Sequence, residues 1–391
     1  MLAALAAVAA VLGGAAAPAN AASSSTLLLG LNGVSCASAT FCAAVGSQGD
    51  SAHPARGDVP LAMVWNGERW GRTATPLPRG WTEGELDSVS CLSVRYCVAI
   101  GEYNRGSYEY PLAETWSGGR WTAAKPPRLA GGFWHVGGAV SCGAARNCVA
   151  AMTFDGAMPS TRGYAEILRG GTWTLREVPL PKGASGGAFS GVSCVSATHC
   201  VLAGSYGRAE RALVLFESWN GTTFTLMKAP SPANRYFIIS GVSCRSAKRC
   251  AAVGSAGAPI AGPVNVSYAE LWNGKAWSVV SVPGRKGLGT NFIGVSCGSP
   301  TSCVSVGVAS KDGSEQTSQA VADVYNGRSW APRSVPALPH GGTSQFQGVS
   351  CASASFCVAV GEGGGPGGNL FSSAALTGFW NGKSWRLVTA S

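Results

Sequence analysis

Gly241-Val242-Ser243-Cys244-Arg245-Ser246-Ala247-Lys248-Arg249-Cys250-Ala251-Ala252-Val253-Gly254 is one of seven copies of a motif that recurs along the chain. The motif reads G-V-S-C, five residues, then C-x-A-V-G, and successive first cysteines are 50 to 55 residues apart. A fixed period of this length indicates repeats that share one core rather than separate domains. The pairs contain all 14 cysteines of the chain: Cys36 and Cys42, Cys91 and Cys97, Cys142 and Cys148, Cys194 and Cys200, Cys244 and Cys250, Cys297 and Cys303, and Cys351 and Cys357.

The paired cysteines predict structural disulfides. Each pair flanks a five-residue turn between two short β runs, so its members face each other across an antiparallel hairpin. A bridge that closes so small a loop contributes only ~2 kcal/mol in the chain-entropy model, but it fixes the register of short strands. A metal site would need C-x2-C spacing or neighbouring histidines, and the four histidines occupy no repeated position. We therefore expect an oxidising compartment, no metal site and no cofactor.

A second signature, an aromatic hexad, follows each cysteine hairpin by about 20 residues. Its usual form is W-N-G-x-x-W, and the copies span residues 65–70, 116–121, 168–173, 219–224, 272–277, 325–330 and 380–385. Eleven of the 13 tryptophans lie in these hexads, which indicates a repeated core contact rather than a ligand cage. Asn-Gly is expected to turn the chain because both residues tolerate positive φ.

The composition favours an all-β protein with many turns, since charged residues make up only 12% of a chain that has 55 glycines and 21 prolines. Each repeat supplies two cysteine strands, an A-x-x-W strand and a strand that begins at the second aromatic. Four antiparallel strands repeated seven times predict a seven-bladed β-propeller with G-V-S-C innermost. A solenoid is the alternative, and it would need distinct polar caps. The predicted blades span approximately residues 28–79, 82–129, 133–182, 187–232, 237–284, 290–339 and 344–390.

The N-terminal stretch, residues 1–21, is predicted to be a secretory signal peptide. It is apolar and uncharged and ends in Ala17-Pro18-Ala19-Asn20-Ala21, an A-x-A-type cleavage site, although it lacks a basic n-region. We therefore predict a secreted protein in which residues 22–391 form a single propeller. No membrane span is expected after cleavage, and we expect a monomer.

The repeat resembles those of kelch-type and sialidase-like propellers. Its closing apolar strand, glycine, aromatic, Trp and Pro follow the kelch order, with C-x-A-V-G in place of the double glycine. The N-G-x-x-W turn resembles a shortened Asp box without the leading Ser-x-Asp. The whole unit is similar to repeats of secreted propellers from high-GC Gram-positive bacteria. This resemblance covers residues 28–390 and implies a fold and a secreted location, but no particular activity.

The strand order predicts which face of the disc carries recognition. The cysteine turns and the hexad turns share one face, which we call the cysteine face, and the connections of variable length lie on the opposite, variable-loop face. Variable loops on a rigid scaffold are the usual place for recognition. The predicted ligand-binding residues are aromatic or histidine side chains that could stack on sugars or peptides, or could instead cover blade seams: Trp81, Tyr103, Tyr108, Trp134, His135, Tyr206 and Tyr236.

These observations predict a non-catalytic binding propeller that recognises an extracellular protein or glycan. No catalytic residue is predicted, because Glu83, Glu85, Asp155 and Glu362 lack the context of a glycosidase pair and no nucleophile elbow is present. The alternative is an extracellular glycoside hydrolase or lyase with its site at the channel mouth, which three or more acidic, His or Arg side chains meeting within ~4 Å at the variable-loop mouth would favour. The net charge of +10 has no basic run, which disfavours nucleic acid and allows diffuse association with an anionic cell wall.

Overall fold

A computed structural model describes residues 27–50, 53, 57–79, 81, 83–105, 108–124, 134–155, 162–208, 211–230, 236–257, 266–311, 313, 315–364 and 374–389. These residues form 28 strands in seven four-stranded antiparallel sheets. The prediction of an all-β, seven-bladed propeller is confirmed. The predicted signal peptide lies outside the described residues.

Each blade is one sheet made from four consecutive strands. Blades 1 and 2 contain β1 (Leu27–Ser38), β2 (Phe41–Asp50), β3 (Val59–Trp65), β4 (Trp70–Thr73), β5 (Gly84–Ser93), β6 (Tyr96–Arg105), β7 (Tyr108–Trp116) and β8 (Trp121–Ala124). Blades 3 and 4 contain β9 (Trp134–Ala144), β10 (Asn147–Asp155), β11 (Arg162–Arg169), β12 (Thr172–Glu177), β13 (Gly186–Ser196), β14 (His199–Arg208), β15 (Arg211–Trp219) and β16 (Phe224–Leu226).

Blades 5 to 7 follow the same plan. Their strands are β17 (Tyr236–Ser246), β18 (Arg249–Gly257), β19 (Val266–Trp272), β20 (Trp277–Val280), β21 (Gly289–Ser299), β22 (Ser302–Ser310), β23 (Gln319–Tyr325), β24 (Trp330–Arg333), β25 (Ser344–Ser353), β26 (Phe356–Gly363), β27 (Ala374–Trp380) and β28 (Trp385–Thr389). Single 3-10 turns occur at Glu315–Thr317 and Pro339–Gly341. Among the 28 described strands no blade exchanges a strand with another, so these blades are joined through packing and side-chain hydrogen bonds.

The serine of G-V-S-C links neighbouring innermost strands. Its Oγ accepts a hydrogen bond from the backbone N–H of the first cysteine in the next blade, at 2.8–3.0 Å, at all seven junctions. The bond from Cys36 N–H to Ser350 Oγ closes the ring between blades 7 and 1. Leu31 and Met63 of blade 1 also pack with Val358 and Phe379 of blade 7. The repeated serine is therefore a closure element.

All seven predicted disulfides are present. The two cysteines of each pair lie directly opposite each other in the register, with Cα–Cα distances of 3.8–4.0 Å. Each bridge therefore joins the first two strands of a blade at the end where their turn begins.

The hexad fastens the third and fourth strands to the cysteine turn. Its first and last residues pair across the hairpin, as Trp65 and Trp70 do. In blades 1, 2, 5 and 7 the first tryptophan donates its indole N–H to a carbonyl of the cysteine turn, as Trp65 does to Ala39. Asn-Gly turns the chain as expected, but only its glycine has a positive φ, as Gly67 does. Among the described residues, Arg146 is the only non-glycine with positive φ. Asn66 instead acts through Oδ1, which accepts hydrogen bonds from the N–H groups of Glu68 and Arg69.

A β-bulge interrupts the innermost strand, and one glycine explains its position. In six blades the extra residue lies four positions before the first cysteine, as Ser240 does in blade 5. The final glycine of C-x-A-V-G pairs with the residue before the bulge, as Gly254 does with Ile239, and a Cβ on Gly254 would lie 1.9 Å from the carbonyl oxygen of Ile238. Blade 3 has Met152 instead, and its bulge moves to Gly137. The glycine thus sets where the inner strand bends.

Candidate functional site

The innermost strands surround a central channel of about 730 Å³. Five of the seven repeats present Gly-Val to it, whereas blade 2 has Ser88-Val89 and blade 3 has Ala139-Val140. The residue before this pair, which is the bulge residue in six blades, is less regular. The side chains at that level are Asn32, Asp87, Ser190, Ser240, Ile293 and Gln347, with Gly138 in blade 3. Bulges re-aim side chains and occur next to active sites. This ring is the part of the channel that does not repeat, so it is where a specific ligand could be distinguished.

Blade 2 places two carboxyl groups in the channel, Glu85 and the bulge residue Asp87. Asn32 of blade 1 donates from Nδ2 to Glu85 Oε2 at 3.4 Å and to the carbonyl of Leu86 at 3.2 Å. Asp87 Oδ2 is buried and has no hydrogen-bond partner within the described part of the chain. The channel wall therefore holds a carboxylate oxygen that a donor on a ligand could satisfy.

Burial and repulsion raise the pKa of both groups. For Glu85 burial is the larger cause and the charge of Glu102 comes next. For Asp87 burial again dominates, followed by the charge of Glu85, and its pKa lies well above the usual range. Glu85 and Glu102 stand directly opposite each other in β5 and β6, an arrangement of like charges that destabilises a sheet. A bound cation would remove this repulsion.

More acidic residues surround the same end of the channel. Seven of the 19 Asp and Glu residues lie at the variable-loop ends of blades 1 and 2, which we call the acidic mouth: Asp50, Asp58, Glu83, Glu85, Asp87, Glu102 and Glu109. Backbone bonds join the two blades here, from Gly84 N–H to the carbonyl of Asp58 at 2.9 Å and from Asn104 N–H to that of Glu83 at 3.3 Å. His53 pairs with Asp50 at 2.8 Å.

Three aromatic rings of blade 2 pack beside the acidic mouth. Trp81 lies 4.5 Å from Tyr103 and 5.3 Å from Tyr110 between ring centroids, and Tyr103 stacks on Tyr110 at 5.5 Å. Tyr103 is only 4% exposed and belongs to the core between blades 1 and 2, whereas Trp81 and Tyr110 are half-buried. The structure therefore brings two of the predicted ligand-binding residues, Trp81 and Tyr103, into contact, and Trp81 is the more exposed of the two.

The other predicted residues lie in strands rather than in loops. Tyr108 begins β7 opposite Arg105, and Trp134 and His135 begin β9 opposite Asp155 and Phe154; the side chains of these three predicted residues are outside the described part. Tyr206 in β14 packs against the core of blades 3 and 4. Tyr236, half-buried, begins β17. β6 continues to residue 105 and β7 starts at residue 108, so Tyr103 and Tyr108 both lie in paired strands.

Sequence reasoning missed the channel ring, although a signal for it exists. The position four before the first cysteine carries six different residue types in seven repeats, with serine in both blades 4 and 5, while the residues after it stay G-V-S-C or close to it. Sequence reasoning also missed a set of buried carboxyl groups on the third strands, which do not line the channel: Glu114, Glu166, Glu217, Glu270 and Asp323. Among the described residues no cluster of three or more His, Cys, Asp or Glu side chains is arranged to hold a metal ion.

No protein-family model matches the chain, and no curated protein matches it. Within the described residues, no helix has the length and apolar character that a membrane crossing requires.

Solved propeller structures are similar to the chain. The structure of YCF48 bound to D1 peptide matches at 15% identity and a TM-score of 0.49, covering 86% of this chain and 89% of that one. The GH74 xyloglucanase from Xanthomonas campestris matches at 13% identity and a TM-score of 0.53, covering 93% of this chain and 54% of that one. The β-propeller domain of the Trilobed protease from Pyrococcus furiosus matches at 11% identity and a TM-score of 0.50, covering 94% of this chain and 98% of that one. At these identities the likeness is one of fold, and a fold shared by a xyloglucanase and a protease domain assigns no activity.

Proposed function

We propose that the protein is a secreted, non-catalytic binding propeller whose site is the acidic mouth, and that it recognises a basic segment of an extracellular protein. The observation that carries the proposal is the buried, unpartnered Oδ2 of Asp87 in a channel wall where Glu85 also repels Glu102. Buried carboxylates are costly unless they are paired. A Lys or Arg side chain entering the channel would supply the missing donor and charge.

The surroundings of the acidic mouth fit such a ligand. Charge-assisted hydrogen bonds to Glu85 and Asp87 would be shorter and stronger than neutral ones. The half-buried rings of Trp81 and Tyr110 lie next to the mouth, where a second cation of the ligand could stack on them. Asn32 and Gln347 offer neutral donors and acceptors on the channel wall. Together these groups favour a peptide with two or more positive charges.

Secretion is part of the proposal. Seven disulfides indicate an oxidising environment, the predicted signal peptide would direct export, and the repeat resembles those of secreted kelch-like and sialidase-like propellers. A glycan is the other ligand class, and a cationic one such as chitosan would meet the same charges.

The test compares a double variant of the mouth with a matched control. Hexalysine should bind the wild-type protein, and E85Q/D87N should weaken that binding by at least about tenfold, since each charged hydrogen bond contributes about 1.5–3 kcal/mol. The control E68Q/E177Q removes two exposed carboxylates elsewhere and should leave the affinity within about threefold. The proposal fails if hexaglutamate binds as well as hexalysine, or if the control loses as much affinity as the double variant.

Catalysis is a second candidate, because two carboxyl groups with raised pKa share one channel. A group kept protonated by burial can act as a general acid beside an ionised partner. A panel of polysaccharides should show turnover that either E85Q or D87N alone abolishes if the protein is a glycoside hydrolase or lyase. Binding of hexalysine without turnover on the panel would favour the binding function.

A further inference from the structure

The cysteine face carries the net positive charge of the molecule. Its fourteen turns, five residues between each cysteine pair and four between each aromatic pair, contain eleven of the 29 Lys and Arg residues and one of the 19 Asp and Glu residues, Glu68. The rest of the chain has eighteen of each, so its formal charge is zero. The cations of the face are Arg69, Arg95, Arg120, Arg146, Arg169, Arg245, Lys248, Arg249, Lys275, Arg328 and Lys383.

The two kinds of turn touch each other, which brings these charges together. A Cβ on Gly67 would meet Thr40 of the cysteine turn at 3.2 Å, and one on Gly274 would meet the side chain of Lys248 at 2.9 Å. The indole of Trp272 donates to the carbonyl of Ala247 at 3.1 Å. Cations that are far apart in sequence therefore lie side by side on the cysteine face.

The charge is densest at the junction of blades 5 and 6. The cysteine turn of blade 5 contains Arg245, Lys248 and Arg249, whereas no other cysteine turn has more than one Lys or Arg. Lys275 and Arg328 follow in the neighbouring hexad turns, and all five side chains are exposed. Within the described part of the chain, neither Arg245 nor Arg249 forms an ion pair.

A recess of about 120 Å³ opens at this junction, lined by Arg245 and Arg249 together with Trp272 and Tyr325. Two of its lining residues differ from those at the same positions of blade 1. Tyr325 stands where blades 1, 2, 4 and 7 have a tryptophan that is at most 6% exposed. Arg249 stands at the position that Phe41 fills at the junction of blades 1 and 2. The smaller ring and the outward arginine leave the seam unfilled.

We propose that this recess binds an anionic polysaccharide, with a carboxylate or sulfate of one sugar held by Arg245 and Arg249 and the sugar ring resting on Tyr325. Guanidinium groups bind such oxyanions through two parallel hydrogen bonds, and a half-buried aromatic ring offers a flat apolar surface beside them. The other cations of the face would attract further negative groups of the same polymer. This site is on the opposite side of the disc from the acidic mouth, so its test is independent of the proposed function.

A polysaccharide fits better than the other polyanions. Seven disulfides indicate an oxidising environment outside the cell, where acidic glycans are abundant. A membrane surface would bury apolar side chains beside the cations. In the turns of this face, the exposed large hydrophobic side chains are Leu92 and Val94 of blade 2. They lie across the ring from the recess, so they could not enter a membrane beside its arginines.

The experiment measures binding of dextran sulfate and polygalacturonate, with neutral dextran as the blank. R245Q/R249Q should weaken the binding of both acidic polymers by at least about tenfold. The control K182Q/K286Q removes the same charge from exposed lysines in inter-blade connections at the other end of the blades and should change the affinity by less than about threefold. Equal losses in the two double variants would overturn the proposal, because they would show that only net charge matters.

A second variant tests the recess without changing charge. Y325W restores the larger ring found at this position in other blades, and it should fill the recess, leave the melting temperature intact and weaken binding by about threefold or more. Unchanged affinity in Y325W would overturn the recess as the binding site. Tighter binding of double-stranded DNA or of phosphatidylglycerol vesicles than of either polysaccharide would overturn the assignment of the ligand class.

Discussion

Five blades carry a carboxyl group that is buried on the third strand, two residues before the first residue of the hexad. Burial raises the pKa of Glu114, Glu166 and Glu217 to about 8. It raises that of Glu270 to about 7, although the hydroxyl of Tyr268 donates to this carboxyl at 2.6 Å and opposes the rise. In blade 6 burial raises the pKa of Asp323 despite Arg285, whose guanidinium lies 2.5 Å away.

These groups make stability depend on pH in an unusual direction. A carboxyl whose pKa is near 8 in the folded chain and 4.5 in the unfolded chain is neutral in both states at low pH. Between those two values only the unfolded chain releases its proton, so the free energy of unfolding falls as pH rises, by about 1.4 kcal/mol per pH unit for each group. We therefore expect the propeller to be more stable at pH 5 than at pH 8.

E114Q tests this argument at one residue. Glutamine keeps the shape of the buried acid but cannot ionise, so the variant should be about 1 kcal/mol or more stable than wild type at pH 8 and nearly equal to it at pH 5. Thermal unfolding at the two pH values measures the difference, and E68Q, in an exposed turn, is the control. A pH dependence in E114Q as steep as that of the wild type would show that Glu114 is ionised in the folded state.

The buried carboxyls could have been found from the sequence. Side chains two apart on a strand face the same side, so the residue two before a core tryptophan must also point into the blade interface. Glu114 and Trp116 satisfy this rule, as do Glu217 and Trp219. The sequence does not show whether such an acid finds a partner. Only the fold places Arg285, from the connection after blade 5, next to Asp323.

At the scale of the strand, the inner β-bulge connects the repeat to the channel. In six of the seven blades it places one side chain in the channel wall, and there it depends on the final glycine of C-x-A-V-G, whose missing Cβ leaves room for a carbonyl of the first strand. The bulge residues are also the ones that differ between blades. A structural glycine thus controls the positions that could give specificity.

G254A should destabilise blade 5 and move its bulge. A methyl group at Gly254 would overlap the carbonyl oxygen of Ile238, and forced packing of this kind costs about 1–3 kcal/mol. Urea unfolding gives the free energy. The matched control is G71A, since a Cβ on Gly71 would have no neighbour closer than 4.0 Å. If G254A were as stable as G71A, the glycine would not be what positions the bulge.

The sequence predicted the elements that are covalently or locally determined and missed those that depend on neighbours. Cysteine spacing predicted the hairpins, the disulfides and the innermost strand, because each follows from residues within one turn. The innermost strand also extends beyond the G-V-S-C motif, since β17 starts at Tyr236, eight residues before Cys244. The residues around Ile239 did not predict the bulge that follows it, because its position depends on Gly254 in the next strand.

At the scale of the whole molecule, folding sorts charge that is mixed along the chain. The sequence has no basic run, and on that ground any wall association was expected to be diffuse. The disc instead collects cations on the cysteine face and seven carboxyl groups at the acidic mouth. The reason is topological: every hairpin turn of one kind ends on the same face, so a bias of one residue per turn is multiplied seven times. Composition alone could not reveal this polarity.

The absence of strand exchange among the described blades predicts that the ring can be opened at any connection. Each of the connections 178–185 and 281–288 runs eight residues from an outer strand to the next innermost strand. β28, an outer strand, ends at Thr389, and β1, an innermost strand, begins at Leu27. A nine-residue joint made of residues 390–391, two added glycines and residues 22–26 should therefore connect them, since it is one residue longer than those links.

A circular permutant with that joint and new termini between Lys286 and Gly287 should therefore fold, because every blade stays a contiguous sheet and the bond from Cys36 N–H to Ser350 Oγ is preserved. Its circular dichroism, its seven disulfides by mass mapping and its affinity for dextran sulfate should match those of the linear protein. Its melting temperature should be lowered by a few degrees at most, which corresponds to a loss of about 1 kcal/mol in the free energy of unfolding.

A second permutant opened inside blade 5, between Gly274 and Lys275, separates two paired strands and should be clearly less stable. Equal stability of the two permutants would mean that the blade is not the cooperative unit, and loss of folding in the first would mean that closure needs more than the serine ring and the packing of blade 1 on blade 7.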